Sequence, residues 1–375
     1  MSRILFMIST LKGGGAEKIL VDLLNQIEFE DVQIDLLVLF NEGPHFTSIP
    51  EHVFVQTIWS KQIRGNSHLM KLFSKERLSR QIIREDYNLI ISFLEGPTTR
   101  IVAGCSSAET SLVNWVHSEF HELRELSNSY RSKKELVESY LAYDHTVFVS
   151  ETARQSFLKL IPLDVNKTSV LYNPLDLVKC GNYPQKTQLD ERLTFVTAGR
   201  LSYQKGYDRL LRVVDRLVNQ DGFDFQLEIL GVGEQLDTLK KMQKKYGLEK
   251  HVHFLGYQKN PYPKLAAADL FIASSRFEGY STVVTEATVL GVPVVATNCS
   301  GMEEILEDTG WIVDNSEEGV YQKLKQILAT PSKILDMRQK SQKRGLELAT
   351  KDYVGPIRSF IQENVQKSVE GREYG

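Results

Sequence analysis

Short apolar runs alternate with amphipathic helical patterns through the whole of this 375-residue chain, and that alternation restricts the fold more than any other feature. In the first half the runs fall at 4–8, 34–40, 89–93, 111–115 and 146–149, with helical spacing between them, as in Ile19, Leu20, Leu23, Leu24 and Ile27. The second half repeats the scheme at 193–198, 225–230, 252–255, 270–273, 294–296 and 311–313. Runs this short and this apolar predict strands buried on both faces, so the expected architecture is parallel sheet covered by helices. The repetition predicts two such domains.

Residues 173–192 hold Pro174, Gly181 and Pro184 among few apolar residues, which suits a hinge. The expected division is an N-terminal domain over 1–173, a linker over 174–192, a C-terminal domain over 193–350, and a terminal helix over 351–375 that returns to the first domain. Ligand is expected at the carboxyl ends of the strands, in a cleft between the domains.

A net charge of −3 gives no reason to expect nucleic acid. Cys105, Cys180 and Cys299 are scattered, with no C-x-x-C pair, so neither a disulfide framework nor a zinc site is expected, and no metal is foreseen. The opening MSRILFMIST reads as a first strand rather than a signal peptide, and no run approaches the ~18 apolar residues of a membrane span. A cytoplasmic location follows as the expectation.

Two carboxylates, Glu278 and Glu286, lie around FEGYSTVVTEA, the first at the exit of the 270–273 strand and the second on the helix expected over 281–290. A helix N-terminus favours phosphate, and carboxylates accept hydrogen bonds from hydroxyls. Upstream, GRLSYQKG supplies Arg200 and Lys205 after the 193–198 strand. Two cations on one diphosphate would neutralise charge on a leaving group, as a divalent metal would. Alone, each cation also reads as a solvated loop residue. The four together point to a sugar diphosphate.

Elsewhere the residues leave alternatives open. Gly13, Gly14 and Gly15 form a strand-to-helix turn that either approaches a phosphate or is only tight, and Lys18 breaks the dinucleotide pattern. His117 in NWVHSEF faces the cleft or packs locally, and Asn173 in LYNPLD joins the ligand or begins a turn. From 61 to 84 the chain carries Lys61, Arg64, Lys71, Lys75, Arg77, Arg80 and Arg84 against Glu76, interleaved with apolar residues such as Leu69, Leu72 and Leu78. That stretch either lies on an anionic membrane or is an ordinary surface helix with a buried face.

In order, GGGAEK, WVHS, VLYNP, GRLSYQKG, LGVGE, FEGYSTVVTEA and GVPVVA resemble the family 4 glycosyltransferases, and more narrowly the bacterial members that build capsular and exopolysaccharides. The resemblance implies the α/β GT-B fold, two Rossmann-like domains facing across a central cleft. It implies that sugar moves with retention, without an essential metal or other cofactor, from a nucleotide diphosphate sugar, with UDP as the commonest carrier. The acceptor would be a saccharide or lipid-linked oligosaccharide, and the enzyme peripheral on the inner face of the membrane.

Residue by residue, Arg200 and Lys205 would grip the diphosphate, while Gly279, Tyr280, Ser281, Thr282 and Val283 help hold sugar and phosphates. Glu278 would bind the sugar and Glu286 the ribose. Gly14 and Gly15 would close over phosphate, His117 would stand beside the transferred sugar, and Leu255 and Gly256, after the third C-domain strand, would lie near the base. Nucleotide-sugar epimerases and non-catalytic partner subunits share the fold and are the competing readings. The donor-site charges favour the transferase.

Overall fold

The computed structural model describes residues 2–12, 15–61, 70–107, 109–174, 183–184 and 186–373, with no account of the side chains of 370–373. The chain forms two compact units, Met1–Pro174 with Asp352–Gly375, and Leu175–Lys351.

The first unit is built on seven strands: β1 (Ser2–Ile8), β2 (Val32–Phe40), β3 (Val53–Trp59), β4 (Leu89–Ser92), β5 (Ser111–Val116), β6 (His145–Phe148) and β7 (Thr168–Val170). All pairings are parallel, in the order β3-β2-β1-β4-β5-β6-β7. The central strands are buried along their length, which is why they read as unbroken apolar runs. Two edge strands went unread in the sequence. β3 alternates, with Phe54 exposed, and β7 is three residues long, so neither makes an apolar run. The terminal helix Val354–Glu373 packs on β4 and β5, and its Phe360 meets the ring of His145 on β6 at 5.0 Å.

The second unit carries six parallel strands: β8 (Thr194–Ala198), β9 (Gln226–Leu230), β10 (Val252–Gly256), β11 (Leu270–Ala273), β12 (Val294–Thr297) and β13 (Trp311–Val313). Their order is β10-β9-β8-β11-β12-β13. Strand order therefore reverses between β8 and β11, and at such a point the flanking crossovers leave on opposite faces and open a crevice at the carboxyl ends. One core, including Phe195, Leu210, Val214, Leu227, Ile272 and Leu324, fixes the helices against this sheet.

Two devices set the helix that follows β11, Thr282–Val289, in place. Gly345, on the helix Ser332–Thr350, lets that helix approach so closely that an added Cβ would stand 2.3 Å from the Thr288 carbonyl oxygen. Arg338, 3% exposed, donates to the carbonyls of Ala268 (2.7 Å) and Asp269 (3.2 Å) just before β11.

Candidate active site

In the second unit the carboxyl ends of β8 and β11 each continue into a loop, and the two loops are clasped together. The Arg276 N–H donates to the Gln204 carbonyl (2.7 Å), the Gln204 side chain to the Phe277 carbonyl (3.1 Å), and the Ser274 hydroxyl to the Lys205 carbonyl (3.0 Å). Buried Arg209 donates to the carbonyls of Ser274 (2.9 Å) and Ser275 (2.5 Å) and to Asn315 (2.8 Å). Arg276 also makes two bonds to Asp208, at 2.7 and 2.8 Å. Burial opposes ionisation of Asp208, but the bonds from Arg276 win and hold its carboxyl down to about 2.

Gly206 makes this approach possible. It has φ +68°, which favours glycine, and a Cβ there would lie 2.1 Å from the Ser274 carbonyl oxygen. The residue also turns the chain into the helix Tyr207–Asp215.

Inside the clasp Lys205 Nζ meets Glu278 Oε1 at 2.5 Å, and the Ser275 hydroxyl donates to the same oxygen at 2.5 Å. Their side chains are 20% and 7% exposed, so the pair is largely out of water. A small cavity of about 10 Å³, lined by Lys205, Ser275, Glu278, Ser281 and Val283, opens beside it. An ammonium beside this opening is placed for a phosphate oxygen, and the carboxylate for a hydroxyl.

Glu286 sits buried on the Thr282–Val289 helix, where the Tyr262 hydroxyl donates to Oε1 at 3.0 Å. Gly279, Tyr280 and Ser281 are buried at the helix entrance, followed by Thr282 and Val283. Arg200 leaves β8 exposed, on the same loop as Lys205. Leu255 and Gly256 correct the sequence expectation: they end β10 instead of following it, because pairing with β9 continues to Gly256, whose φ is +70°. They stand two strands away from β8.

The remaining candidates belong to the first unit. His117, at the exit of β5, is 9% exposed, with its ring nitrogens buried and the Phe93 backbone as the partner within reach. Burial lowers its pKa to about 3, so the ring is neutral at physiological pH. Phe93 and Trp115 flank it, with centroids at 4.6 and 6.3 Å. Gly15 opens the first helix and is exposed, Asn173 is buried, and Gly13 and Gly14 lie outside the described residues. Sequence reading missed Ser275 and Tyr262, which touch the two key carboxylates. It also missed Glu95 at the exit of β4, whose signal is a charged residue directly after an apolar run and before Gly-Pro.

Of the basic stretch, 62–69 lie outside the described residues. Its described part forms the helix Lys75–Ile82, with Leu78 and Ile82 in the core of the first unit, while Leu72 is 75% exposed. Most of its apolar face is thus covered by protein. No helix among the described residues is long and apolar enough to cross a membrane.

Two family models match, "Glycosyltransferase Family 4" over residues 13–179 and "Glycosyl transferases group 1" over 181–344. Among curated relatives, the N-acetylgalactosamine-N,N'-diacetylbacillosaminyl-diphospho-undecaprenol 4-alpha-N-acetylgalactosaminyltransferase of Campylobacter jejuni is 29% identical over 65% of this chain and 65% of its own length. The lipopolysaccharide core biosynthesis glycosyltransferase LpsE of Rhizobium meliloti is 34% identical over 40% of this chain and 43% of its own. The aligned stretches of the curated relatives thus span less than two thirds of those proteins. Among solved structures, Anabaena HepE in complex with UDP and glucose superposes with a TM-score of 0.75 at 21% identity, over 98% of this chain and all of HepE. That likeness, with others to a lipopolysaccharide glycosyltransferase and a sucrose-phosphate synthase, bears out the GT-B fold expected from sequence.

Proposed function

This chain belongs to the family 4 glycosyltransferases, which the two models match in turn along nearly its whole length, and from that premise we propose that it transfers a hexose or N-acetylhexosamine from a UDP-sugar to a lipid-linked saccharide during surface polysaccharide synthesis. The transfer proceeds with retention and without a required metal. One observation carries this reading: the Lys205–Glu278–Ser275 cluster lies at the strand-order reversal, on the same loop as Arg200 and one helix entrance away from Glu286.

The UDP and glucose bound to HepE support a UDP-sugar, and the name of the Campylobacter relative supports an acceptor on diphospho-undecaprenol. Lys205 and Arg200 take the diphosphate, whose negative charge grows as the sugar–oxygen bond breaks. Fixed cations in a partly dry site stabilise that charge without reorganising. The acceptor's proton passes to the departing phosphate, so no side chain has to act as nucleophile. Glu278 holds sugar hydroxyls and Glu286 the ribose. His117, kept neutral by burial, stands beside the transferred sugar.

The enzyme works from the cytoplasmic side as a peripheral protein, with exposed Leu72 among Lys71, Lys75 and Arg80 as its contact to anionic lipid. Flotation with anionic vesicles tests that part, and a lack of lipid dependence removes it. For the reaction, UDP- and GDP-sugars are incubated with the protein in EDTA and nucleotide release is followed. Loss of one charge-assisted hydrogen bond in Arg200→Ala corresponds to roughly a 10- to 100-fold slower release. Folded Arg200→Ala and Glu278→Ala proteins working at wild-type rates would refute the assignment.

A further inference from the structure

At the exit of β4 in the first unit, the Glu95 carboxyl is held by backbone N–H groups, its own among them. Its Oε1 accepts from the N–H groups of His117 (2.6 Å) and Ser118 (2.8 Å). The turn that carries it is fixed by its neighbour: the Leu94 carbonyl accepts from Thr98 (2.7 Å), Thr99 (3.2 Å) and Ser92 (3.3 Å). Thr99 also donates to Asn114 on β5 (3.2 Å). Glu95 is therefore a carboxylate on a rigid mount. Its other oxygen, Oε2, accepts from no other residue among those described, and Glu95 is half-buried. These bonds cap the His117 loop, and an ionised carboxylate keeps accepting capacity beyond them.

We propose that Glu95 is a binding residue for the saccharide acceptor, its Oε2 accepting hydrogen bonds from acceptor hydroxyls beside the His117 ring, an inference that rests on the transferase reading above. The position fits: Glu95 leaves the strand next to β1, where order reverses in the seven-stranded sheet, and His117 leaves the strand beside it. A neutral polyhydroxyl ligand matches the chemistry, because the site offers a carboxylate with accepting capacity to spare beside a neutral imidazole.

The carboxylate also brings a pH signature. Burial raises its pKa to about 7, against the opposing effect of the backbone N–H bonds, so its charge changes near neutrality. The titratable groups around it do not change there. His117 is neutral, Tyr130 and Tyr140 are held protonated by burial, and Arg100 is paired with Glu135 at 3.0 Å. A hydroxyl donor prefers the ionised form, so acceptor binding strengthens as pH rises through about 7 and is linked to a lower Glu95 pKa.

Carbon-13 NMR of protein labelled at glutamate carboxyls reads this directly, with octyl glycosides of hexoses and N-acetylhexosamines as probes. The Glu95 signal, assigned by its absence in Glu95→Gln, should shift its midpoint down by about one pH unit with at least one glycoside, equivalent to about tenfold tighter binding to the ionised form. In the companion assay, Glu95→Gln should lose about tenfold or more in kcat/KM for the glycoside at pH 8 and its KM should become independent of pH. Gln retains an oxygen for the His117 and Ser118 N–H groups, so the loop keeps its cap. An unshifted midpoint with every glycoside overturns the inference, as does a Glu95→Gln enzyme with the wild-type acceptor KM at all pH values. Failure of the transferase reading looks different: no donor releases nucleotide, whatever the NMR midpoint does.

Discussion

Replacing Lys205 by methionine should destabilise the second unit before any effect on chemistry is considered. The substitution keeps the length of the side chain and removes its charge, leaving the Glu278 carboxylate, 7% exposed, with only the Ser275 hydroxyl on Oε1 among the described residues. Breaking a buried pair by removing one partner costs about 3–5 kcal/mol. Lys205 is 20% exposed and water reaches part of the pair, so about 2–3 kcal/mol is the better figure. For a unit of this size each kcal/mol moves the melting temperature by about 2–4 °C, giving a fall of roughly 4–12 °C. Scanning calorimetry, with the transition of the second unit followed separately, reads the shift. In Lys205→Met/Glu278→Gln no uncompensated charge is left, so the double variant should recover about 1–3 kcal/mol relative to the sum of the single changes. It should remain inactive. A Lys205→Met protein melting with the wild type, or single losses that simply add in the double variant, would refute the claim that this pair is a desolvated unit.

Removing the hydroxyl in Tyr262→Phe should raise the donor KM several-fold with kcat nearly unchanged, since it orients Glu286 and does not reach the reacting atoms; steady-state kinetics over donor concentration checks this. Gly345→Ala should lower the melting temperature of the second unit by an amount equivalent to about 1–3 kcal/mol, because the added methyl meets the Thr288 carbonyl. In the first unit two groups act against each other. His117, with its pKa lowered, adds stability that is present above about pH 6.5 and is lost on acidification towards 3, whereas Glu95, with its pKa raised, adds stability that is present below about 4.5 and is lost as pH rises through about 7. Between about pH 4.5 and 6.5 the two nearly cancel. Glu95→Gln should uncover the His117 term, up to about 1.4 kcal/mol lost per pH unit of acidification, and denaturant unfolding of the variant with the wild-type slope would contradict it.

The parallel strands were legible because strands buried on both faces leave uninterrupted apolar runs, as 4–8 and 270–273 show. β3 and β7 were not, since an edge strand with Phe54 in water and a three-residue strand carry no such run. Lys205 and Glu278 were singled out by type and position, yet their direct contact depends on Gly206 bringing the two loops together across 73 residues of sequence. Glu95 escaped notice for a related reason. Its meaning lies in the backbone N–H groups of His117 and Ser118, and these have no signature in side-chain spacing.

The clasp between the loops after β8 and β11 has a kinetic consequence. Because Arg209, Gln204 and Arg276 fix both loops through bonds internal to the unit, the ordering of this crevice belongs to the folding reaction. Nucleotide capture by the second unit then requires no loop rearrangement within that unit. Stopped-flow traces of UDP binding to it should be single-exponential, with an observed rate that rises linearly with ligand concentration and does not level off.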